Sequence, residues 1–375
     1  MSKITIIGCG HGGQALASEL ILKGYEITIY ADKQHPGGIA AIKNQGGINC
    51  QGEINNFAKI ANTTHNLKDA IKNSEYIFIV VPSFAHKKVF VSMAKHLKAN
   101  QTIITLAANF ASLSYLSHIK PKNDLIDIAS LPYVCRSDNN GSVEIISIKN
   151  NIGAAAIPAK NINKHLDNLS KMLTTKIISY PNVLSLGMNI TSGLTHPAVT
   201  ILNAGRIGED KPEFYFYKDG ITSEIARIIE ICDKERIEIG KKLGVKMYFY
   251  LELMEEYYGI KYKSIYDFFK NSKEHNAKPM CPPKLTHRYI TQDVAGLLVA
   301  WVNLGKASGT KTPYMQNLVN ISSMLNNKNY MTSGTTLEKL NLQHKNIKEI
   351  LDIVHNGKQN KLQTSKNSST FGSVA

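Results

Sequence analysis

Ile4-Thr5-Ile6-Ile7-Gly8-Cys9-Gly10-His11-Gly12-Gly13-Gln14-Ala15-Leu16-Ala17 runs from a short apolar stretch through a glycine cluster into residues with helical spacing. Gly8, Gly10 and Gly13 match G-x-G-x-x-G where a strand, Ile4 to Ile7, gives way to a helix that continues to Leu22. In that setting the first glycine permits a tight turn, the second lets the backbone approach a pyrophosphate, and the third allows the helix to pack on the strand. The unpaired N–H groups and positive dipole end of the helix favour phosphate. The segment therefore points to dinucleotide binding through Gly8, Gly10, His11, Gly12 and Gly13.

Outward from that turn, strand and helix signals alternate. Glu26 to Tyr30, Tyr76 to Val81, Thr102 to Leu106, Leu125 to Ile128, Val143 to Ile148 and Gly153 to Ile157 read as strands; Leu67 to Lys72 and Ala85 to Leu97 read as helices. This grammar predicts an α/β Rossmann-type doubly wound parallel sheet, whose strands are apolar throughout because helices cover both faces. The ribose-binding acid of such a fold lies about 20 residues beyond the glycines. Ala31 stands at that place and Asp32 one further. Asp32 can accept from a ribose 2′-hydroxyl and favour NAD(H), whereas Lys33 would neutralise a 2′-phosphate and favour NADP(H); the balance tips toward NAD(H).

From about Asn182 the pattern becomes helical. Ile225, Ile228, Ile229 and Cys232, continuing to Ile239 and Leu243, recur at helical spacing, with Gly244 at the stop. Met247 to Tyr258, Ile265 to Lys270, Asp293 to Lys306, Tyr314 to Leu325 and Lys345 to Val354 follow in kind, giving an all-α C-terminal domain. Pro279, Pro282 and Pro283 mark a loop, and Thr291 is the expected cap of the helix near Asp293. The expected division is 1–181 for the dinucleotide, 182–355 for a helical catalytic domain, and a disordered tail over 356–375.

Composition narrows the field. With 43% apolar and 19% charged residues the chain can bury large cores, and no apolar run approaches the ~20 residues of a membrane span. The net charge of +15 comes from scattered lysines without an Arg-rich run or interleaved aromatics, so no nucleic-acid partner is expected. Five cysteines without a C-x-x-C pair, and no signal peptide, suggest free thiols in the cytoplasm. The histidines show no metal-ligand spacing, so no metal is expected.

One ordered series of segments is more specific. It comprises Val80-Val81-Pro82-Ser83-Phe84-Ala85-His86, Leu131-Pro132-Tyr133-Val134-Cys135-Arg136, Thr195-His196-Pro197, Leu202-Asn203-Ala204-Gly205-Arg206-Ile207 and Asp233-Lys234-Glu235-Arg236. It continues with Arg288-Tyr289-Ile290-Thr291-Gln292-Asp293-Val294, Leu304-Gly305, Thr312-Pro313 and Gly334-Thr335-Thr336-Leu337-Glu338-Lys339-Leu340. The series resembles the octopine/nopaline (opine) dehydrogenase family, up to about Leu342. The resemblance implies a Rossmann domain followed by an opine-dehydrogenase helical domain, with substrates in the cleft between. It implies an NAD(P)H-dependent reductive condensation of an amino acid α-amino group with a 2-keto acid, commonly pyruvate. By the same resemblance a His–Asp pair falls on His196 and Asp293, and a carboxylate-binding arginine on Arg288. Val81 and Pro82 join the expected cofactor contacts, and Ser130 is a candidate substrate contact. Ala107-Ala108-Asn109-Phe110-Ala111 replaces the Pro-Gly-rich loop usual in the family, Gln292 replaces its Glu, and Val294-Ala295-Gly296-Leu297 replaces a Pro-containing run. These departures leave the keto-acid pocket and the identity of the amino donor open.

The residue types suit the chemistry. A histidine with a pKa near 6.5 can take a proton from a substrate ammonium and support loss of water, and a carboxylate behind it fixes the tautomer. On pattern alone, a histidine before a proline is as well explained by structure, and Asp293 by the start of a helix. Asn203 and Arg206 are open between pocket and interior, while Cys9 and Cys135 read as small packing residues. Two other readings remain. A glycerol-3-phosphate or ketopantoate type of carbonyl reductase would use a lysine in a motif not found here, and a non-catalytic dinucleotide sensor would lack His196 or Asp293. The oligomeric state is open, a homodimer being one candidate.

Overall fold

Ile4, Ile6, Ile77, Phe78, Ile79, Ile104 and Ile126 are wholly or almost wholly buried, as strands covered on both faces must be. The computed structural model of this protein describes residues 2–118, 123–209, 213–278, 281–340 and 342–357. Among them the strands are β1 (Lys3–Ile7), β2 (Glu26–Tyr30), β3 (Gly47–Gly52), β4 (Asn56–Lys59), β5 (Asn62–Thr64) and β6 (Tyr76–Ile79). They continue with β7 (Thr102–Leu106), β8 (Leu125–Ile128), β9 (Tyr133–Arg136), β10 (Ser142–Ile148), β11 (Asn151–Ile157) and β12 (Lys176–Ser179). The large sheet has the order β12-β11-β8-β7-β6-β1-β2-β5, and its run from β8 to β5 is parallel.

Two expectations need correction. The strand read at Val143 to Ile148 is real but belongs to a second sheet of order β4-β3-β10-β9. The strand read at Gly153 to Ile157 starts at Asn151 and runs antiparallel to β8. Both follow from one short connection. The chain leaves β8, passes through β9 and β10, and returns without the crossover helix that a parallel re-entry requires. Lys149 and Asn150 form that return, pinned by Lys149 N–H donating to the Pro132 carbonyl at 2.9 Å.

After Ser179 the described residues form helices and loops only. The helix Ser223–Leu243 is the central element, and its Arg236 is fully buried. A buried guanidinium is tolerable only when paired and fully hydrogen-bonded. Arg236 donates to Asp233 Oδ1 at 2.6 Å and to the carbonyls of Met188 and Tyr248 at 2.5 and 2.6 Å. Neighbouring Glu235 accepts from Tyr314 and Met315 N–H, both at 2.9 Å, and so caps the helix Pro313–Leu325. The Asp233–Arg236 segment is thus architectural.

Thr291 is not a cap. A short helix, Arg288–Thr291, is capped by His287 and runs through Gln292 and Asp293 into a π-helical turn, Val294–Leu298, before Val299–Ser308. Gly193 explains this packing: a Cβ there would lie 2.8 Å from both Leu297 Cβ and Trp301, so its absence lets the helix Ser192–Leu202 close on the π turn. The expected tail begins too early, since Asn356 closes the helix Ile347–Asn356 with Gly357 as its left-handed cap. Pro279 and residues 358–375 lie outside the described residues.

Candidate active site

The glycine turn sits at the carboxyl end of β1, between β6 and β2, where the strand order reverses and open α/β sheets bind ligands. Gly8 has φ +118°, and a Cβ there would come within 2.2 Å of the Val80 carbonyl oxygen on the neighbouring strand end. A Cβ on Gly13 would meet the Gly8 carbonyl oxygen at 2.0 Å, and one on Gly12 would meet the Leu131 side chain at 2.8 Å. Apart from its two chain neighbours, no described residue has an atom within 4 Å of the place a Gly10 Cβ would take. The other three glycines therefore answer to the protein's own packing, while Gly10 borders open space at the start of the helix His11–Leu22. The first N–H groups of that helix have no intrahelical acceptor. This cradle fits a dinucleotide pyrophosphate.

The remaining candidate cofactor contacts surround the same edge. Val81 and Pro82 follow β6, with Pro82 directly before the helix Ser83–Ala94. Asp32 follows β2; its Oδ1 accepts from Gln34 N–H at 2.9 Å and its Oδ2 from Lys88 Nζ at 2.7 Å. The lysine bond is the main cause holding the Asp32 carboxyl below its usual range.

His196 and Asp293 come together across 97 residues of sequence, with Nδ1 and Oδ2 2.6 Å apart. Asp293 is 1% exposed, and its Oδ1 accepts from Ser192 Oγ at 3.3 Å. A carboxylate only accepts, so the imidazole proton is assigned to Nδ1 and Nε2 is left as the acceptor. Nε2 takes a hydrogen bond from the Tyr217 hydroxyl at 3.0 Å, and Tyr289 stacks on the ring with centroids 3.9 Å apart. Burial pushes the Tyr217 phenol well above its usual value, so it stays a donor.

This pair opens on a cavity of about 450 Å³ between the strand-rich and helical parts, lined by His11 on one side and by His196, Asp293 and Arg288 on the other. His11 accepts from Ser137 N–H at 2.8 Å through Nδ1. Burial lowers its pKa first, and the charges of Arg136 and Arg288 lower it further. Arg136 immediately precedes the Ser137 that holds His11, and both guanidiniums line the cavity. Ser130 also lines it and contacts the Lys149 amine. Asn109 Nδ2 and Gln292 Oε1 are buried at the cavity without a hydrogen-bond partner among the described residues, a donor and an acceptor left for a ligand. Asn109 belongs to a loop in which Ala107, Asn109 and Phe110 all have positive φ, 50°, 48° and 63°. Such strain gathers at ligand sites.

Asn203 is held by backbone carbonyls, and Arg206 is exposed. Asn203 donates to the Val199 and Gly220 carbonyls at 2.9 Å, and Arg206 lies over the Phe214 ring at 3.9 Å. All five cysteines are free, and burial pushes Cys9 and Cys135 up to about 12, as inert packing thiols require. Tyr217, Lys149, Arg136 and Asn109 were not singled out from sequence. Arg136 and Asn109 stood in segments already quoted, Tyr217 in the aromatic run Phe214-Tyr215-Phe216-Tyr217, and Lys149 in none. Among the described residues there is no group of three or more metal-ligating side chains and no helix long and apolar enough to cross a membrane.

Comparison with known proteins accords with this architecture. Residues 179–326 match the NAD/NADP octopine/nopaline dehydrogenase alpha-helical domain, and residues 3–109 match the coenzyme F420-dependent NADP oxidoreductase family. An opine dehydrogenase of Arthrobacter sp. (strain 1C) is 28% identical over 90% of this chain and 94% of its own length. A D-nopaline dehydrogenase of Agrobacterium tumefaciens (strain T37) is 22% identical over 78% of this chain and 79% of its own. The solved structure of octopine dehydrogenase with NADH and L-arginine shares the fold, with TM-score 0.78 and 17% identity over 96% of this chain and 100% of that one. The chain is thus similar to the octopine/nopaline dehydrogenases over most of its length, and it is an NAD(P)-dependent oxidoreductase of that type.

Proposed function

We propose that this enzyme condenses the α-amino group of an amino acid with a 2-keto acid of the pyruvate type and reduces the resulting imine, and that it runs the reverse oxidation. The observation that carries this reading is the His196–Asp293 pair at 2.6 Å, its carboxylate buried and its imidazole half-buried at the cavity that the glycine turn borders. Residues 1–181 hold the dinucleotide and 182–355 carry the proton chemistry, with the substrates between them. The bound cofactor supplies a hydride to the imine carbon.

The chain's own residues manage protons and carboxylates. Asp293 keeps the His196 proton on Nδ1, so Nε2 is the base that takes a proton from the substrate ammonium and frees the amine to attack the keto carbon. The same proton, returned from Nε2, leaves with the carbinolamine hydroxyl as water. Tyr217, which donates to Nε2 in the structure, gives up that place to the substrate. Asp293 stabilises the imidazolium between these two transfers. Arg288, exposed at the cavity wall, offers a planar fork to one carboxylate, and Ser130 contributes a hydroxyl elsewhere on the same cavity wall. NADH is the preferred cofactor because a 2′-phosphate would meet the Asp32 carboxylate, although Lys88 offsets part of that repulsion.

The test is NADH and NADPH oxidation by the purified protein with pyruvate, with and without a mixture of amino acids. Turnover that needs both substrates is expected. Turnover with a keto acid alone would instead select a carbonyl reductase, and cofactor binding without turnover would select a sensor.

A further inference from the structure

Lys149 lies between β10 and β11, in the short return from the small sheet to the large one, and lines the cavity. Its amine donates to the Leu131 carbonyl at 3.1 Å, contacts the Ser130 hydroxyl and stands 5.0 Å from the centre of the Tyr257 ring. Among the described residues no carboxylate lies within ion-pair distance of it. Glu274 lines the same cavity, but it accepts from Ser272 Oγ at 3.0 Å, and its charge bears on Tyr258 and Tyr262. Burial pushes the Lys149 amine down to about 8. An enclosed ammonium beside an aromatic ring and neutral oxygens is a costly arrangement for a fold to keep unless an anion completes it.

The cations of the cavity fall into two groups. Arg136 stands opposite Glu144 on the β9–β10 pair, whereas Lys149 follows Ile148, opposite Tyr133, at the other end of that pair. All three cations reach Cys135, but only Arg136 and Arg288 act on His11 and His287, and only Lys149 of the three acts on His275. His196 lines the same cavity as all three. Condensing an amino acid with a keto acid brings two carboxylates, and the arginine end offers two guanidiniums for them. Lys149, at the other end and without a carboxylate of its own, matches a third.

We propose that Lys149 is a specificity residue that receives the side-chain carboxylate of a dicarboxylic substrate. This rests on the condensation reading above. The carboxylate has two sources, an acidic amino donor or a dicarboxylic keto acid, and the experiment separates them.

The test measures kcat/KM by NADH oxidation with the whole chain. One arm pairs pyruvate with L-glutamate or L-glutamine; the other pairs L-alanine with 2-oxoglutarate or 2-oxopentanoate. In one arm the acid should exceed its neutral counterpart by at least about tenfold, equivalent to about 1.4 kcal/mol, and that arm names the source. Lys149→Met should bring the ratio near one, and Lys149→Arg should keep most of it. A merely damaged fold would lower both members of a pair and leave their ratio unchanged. A wild-type ratio of one or less in both arms, or a ratio that survives in Lys149→Met, would overturn the proposal while the condensation reading stood. Should no pair turn over, the condensation reading fails by itself. Lys149 is then judged by calorimetry of glutarate against its monoamide on the NADH-loaded protein, with the same preference and the same loss in Lys149→Met required.

Discussion

Asp293→Asn removes one charge while keeping the shape of a side chain that is 1% exposed. The wild-type Oδ2 stands 2.6 Å from His196 Nδ1, and Oδ1 accepts from Ser192 Oγ at 3.3 Å. The amide can sit either way round. With its oxygen toward the ring the tautomer survives, but the imidazolium formed in the reaction loses its counter-charge. A charge-assisted bond of roughly 1.5–3 kcal/mol becomes a neutral one of roughly 0.5–1.5 kcal/mol. That difference, about 1–1.5 kcal/mol, corresponds to about a tenfold loss. With the amide nitrogen toward the ring, Nδ1 must accept, the proton moves to Nε2, and the roughly 10²–10⁴-fold contribution of a general base disappears. The expected fall in kcat is therefore at least about tenfold, and His196→Ala should fall further. NADH affinity by fluorescence titration should change little, since the glycine turn is on the far side of the cavity. The double variant should be no worse than His196→Ala, as for residues acting as a unit. Retention of more than about a third of wild-type kcat in Asp293→Asn, or losses that multiply in the double variant, would refute the pair as one catalytic device.

Gly10→Val should abolish NADH and NADPH binding while circular dichroism and Tm stay near wild type, because beyond its chain neighbours no described residue stands within 4 Å of the new Cβ. Gly13→Ala, whose Cβ would meet the Gly8 carbonyl oxygen at 2.0 Å, should cost stability as well; similar Tm losses for the two would contradict the assignment. Arg288→Lys should raise the KM of one carboxylate substrate more than that of NADH, and Arg288→Met should be worse. Unchanged KM for both substrates would make Arg288 a surface residue. Asp127→Asn tests a buried carboxyl that burial pushes up to about 7 and that accepts from Ser112 Oγ at 2.8 Å. Because its folded pKa lies above the unfolded value near 3.9, its contribution is present below about pH 4 and lost as pH rises through about 7. The non-titrating Asn avoids that loss, so urea unfolding should show the variant gaining about 2–3 kcal/mol on wild type between pH 5 and pH 8. An equal difference at the two pH values would rule the protonated carboxyl out.

Local pattern carried the parallel part of the fold. β6, β7 and β8 are buried throughout and β1 from Ile4 on, so their sequences are dominated by Ile, Phe and Leu, while β2 alternates buried Ile27 and Ile29 with half-buried residues. The second sheet was not legible as a sheet. β3 and β4, with Asn49, Gln51, Asn56 and Lys59, have partly exposed faces, and β3 carries glycine at both ends, so no strong period forms. β10 looked like a strand of the main sheet because side-chain pattern records burial and not which sheet supplies it. The π turn after Asp293 was read as an ordinary helix for a similar reason. One residue of extra helical pitch leaves the apolar content of Val294–Leu298 unchanged.

The site divides along the same physical line. The glycine turn is legible because its chemistry is made by neighbouring backbone, and three glycines within six residues are the condition for that backbone. His196 and Asp293 carried no such local mark; only the order of the surrounding segments pointed to them, and the contact itself depends on Gly193 admitting Leu297 and Trp301. Lys149 was invisible for a deeper reason. In a chain with 44 Lys and Arg, one more lysine between two strands reads as solvated surface. What distinguishes it is an enclosure made by Ser130, Leu131 and Tyr257, and a carboxylate that the described surroundings do not provide. A missing partner is a property of the assembled cavity, so it cannot be written in the residues next to Lys149 in sequence. Substrate choice in this enzyme is therefore set by tertiary placement around Lys149, while the reaction class is carried by short motifs. The two should separate under mutation: changes at Lys149 should redirect which substrate is taken, and changes at His196 should stop the reaction for all of them.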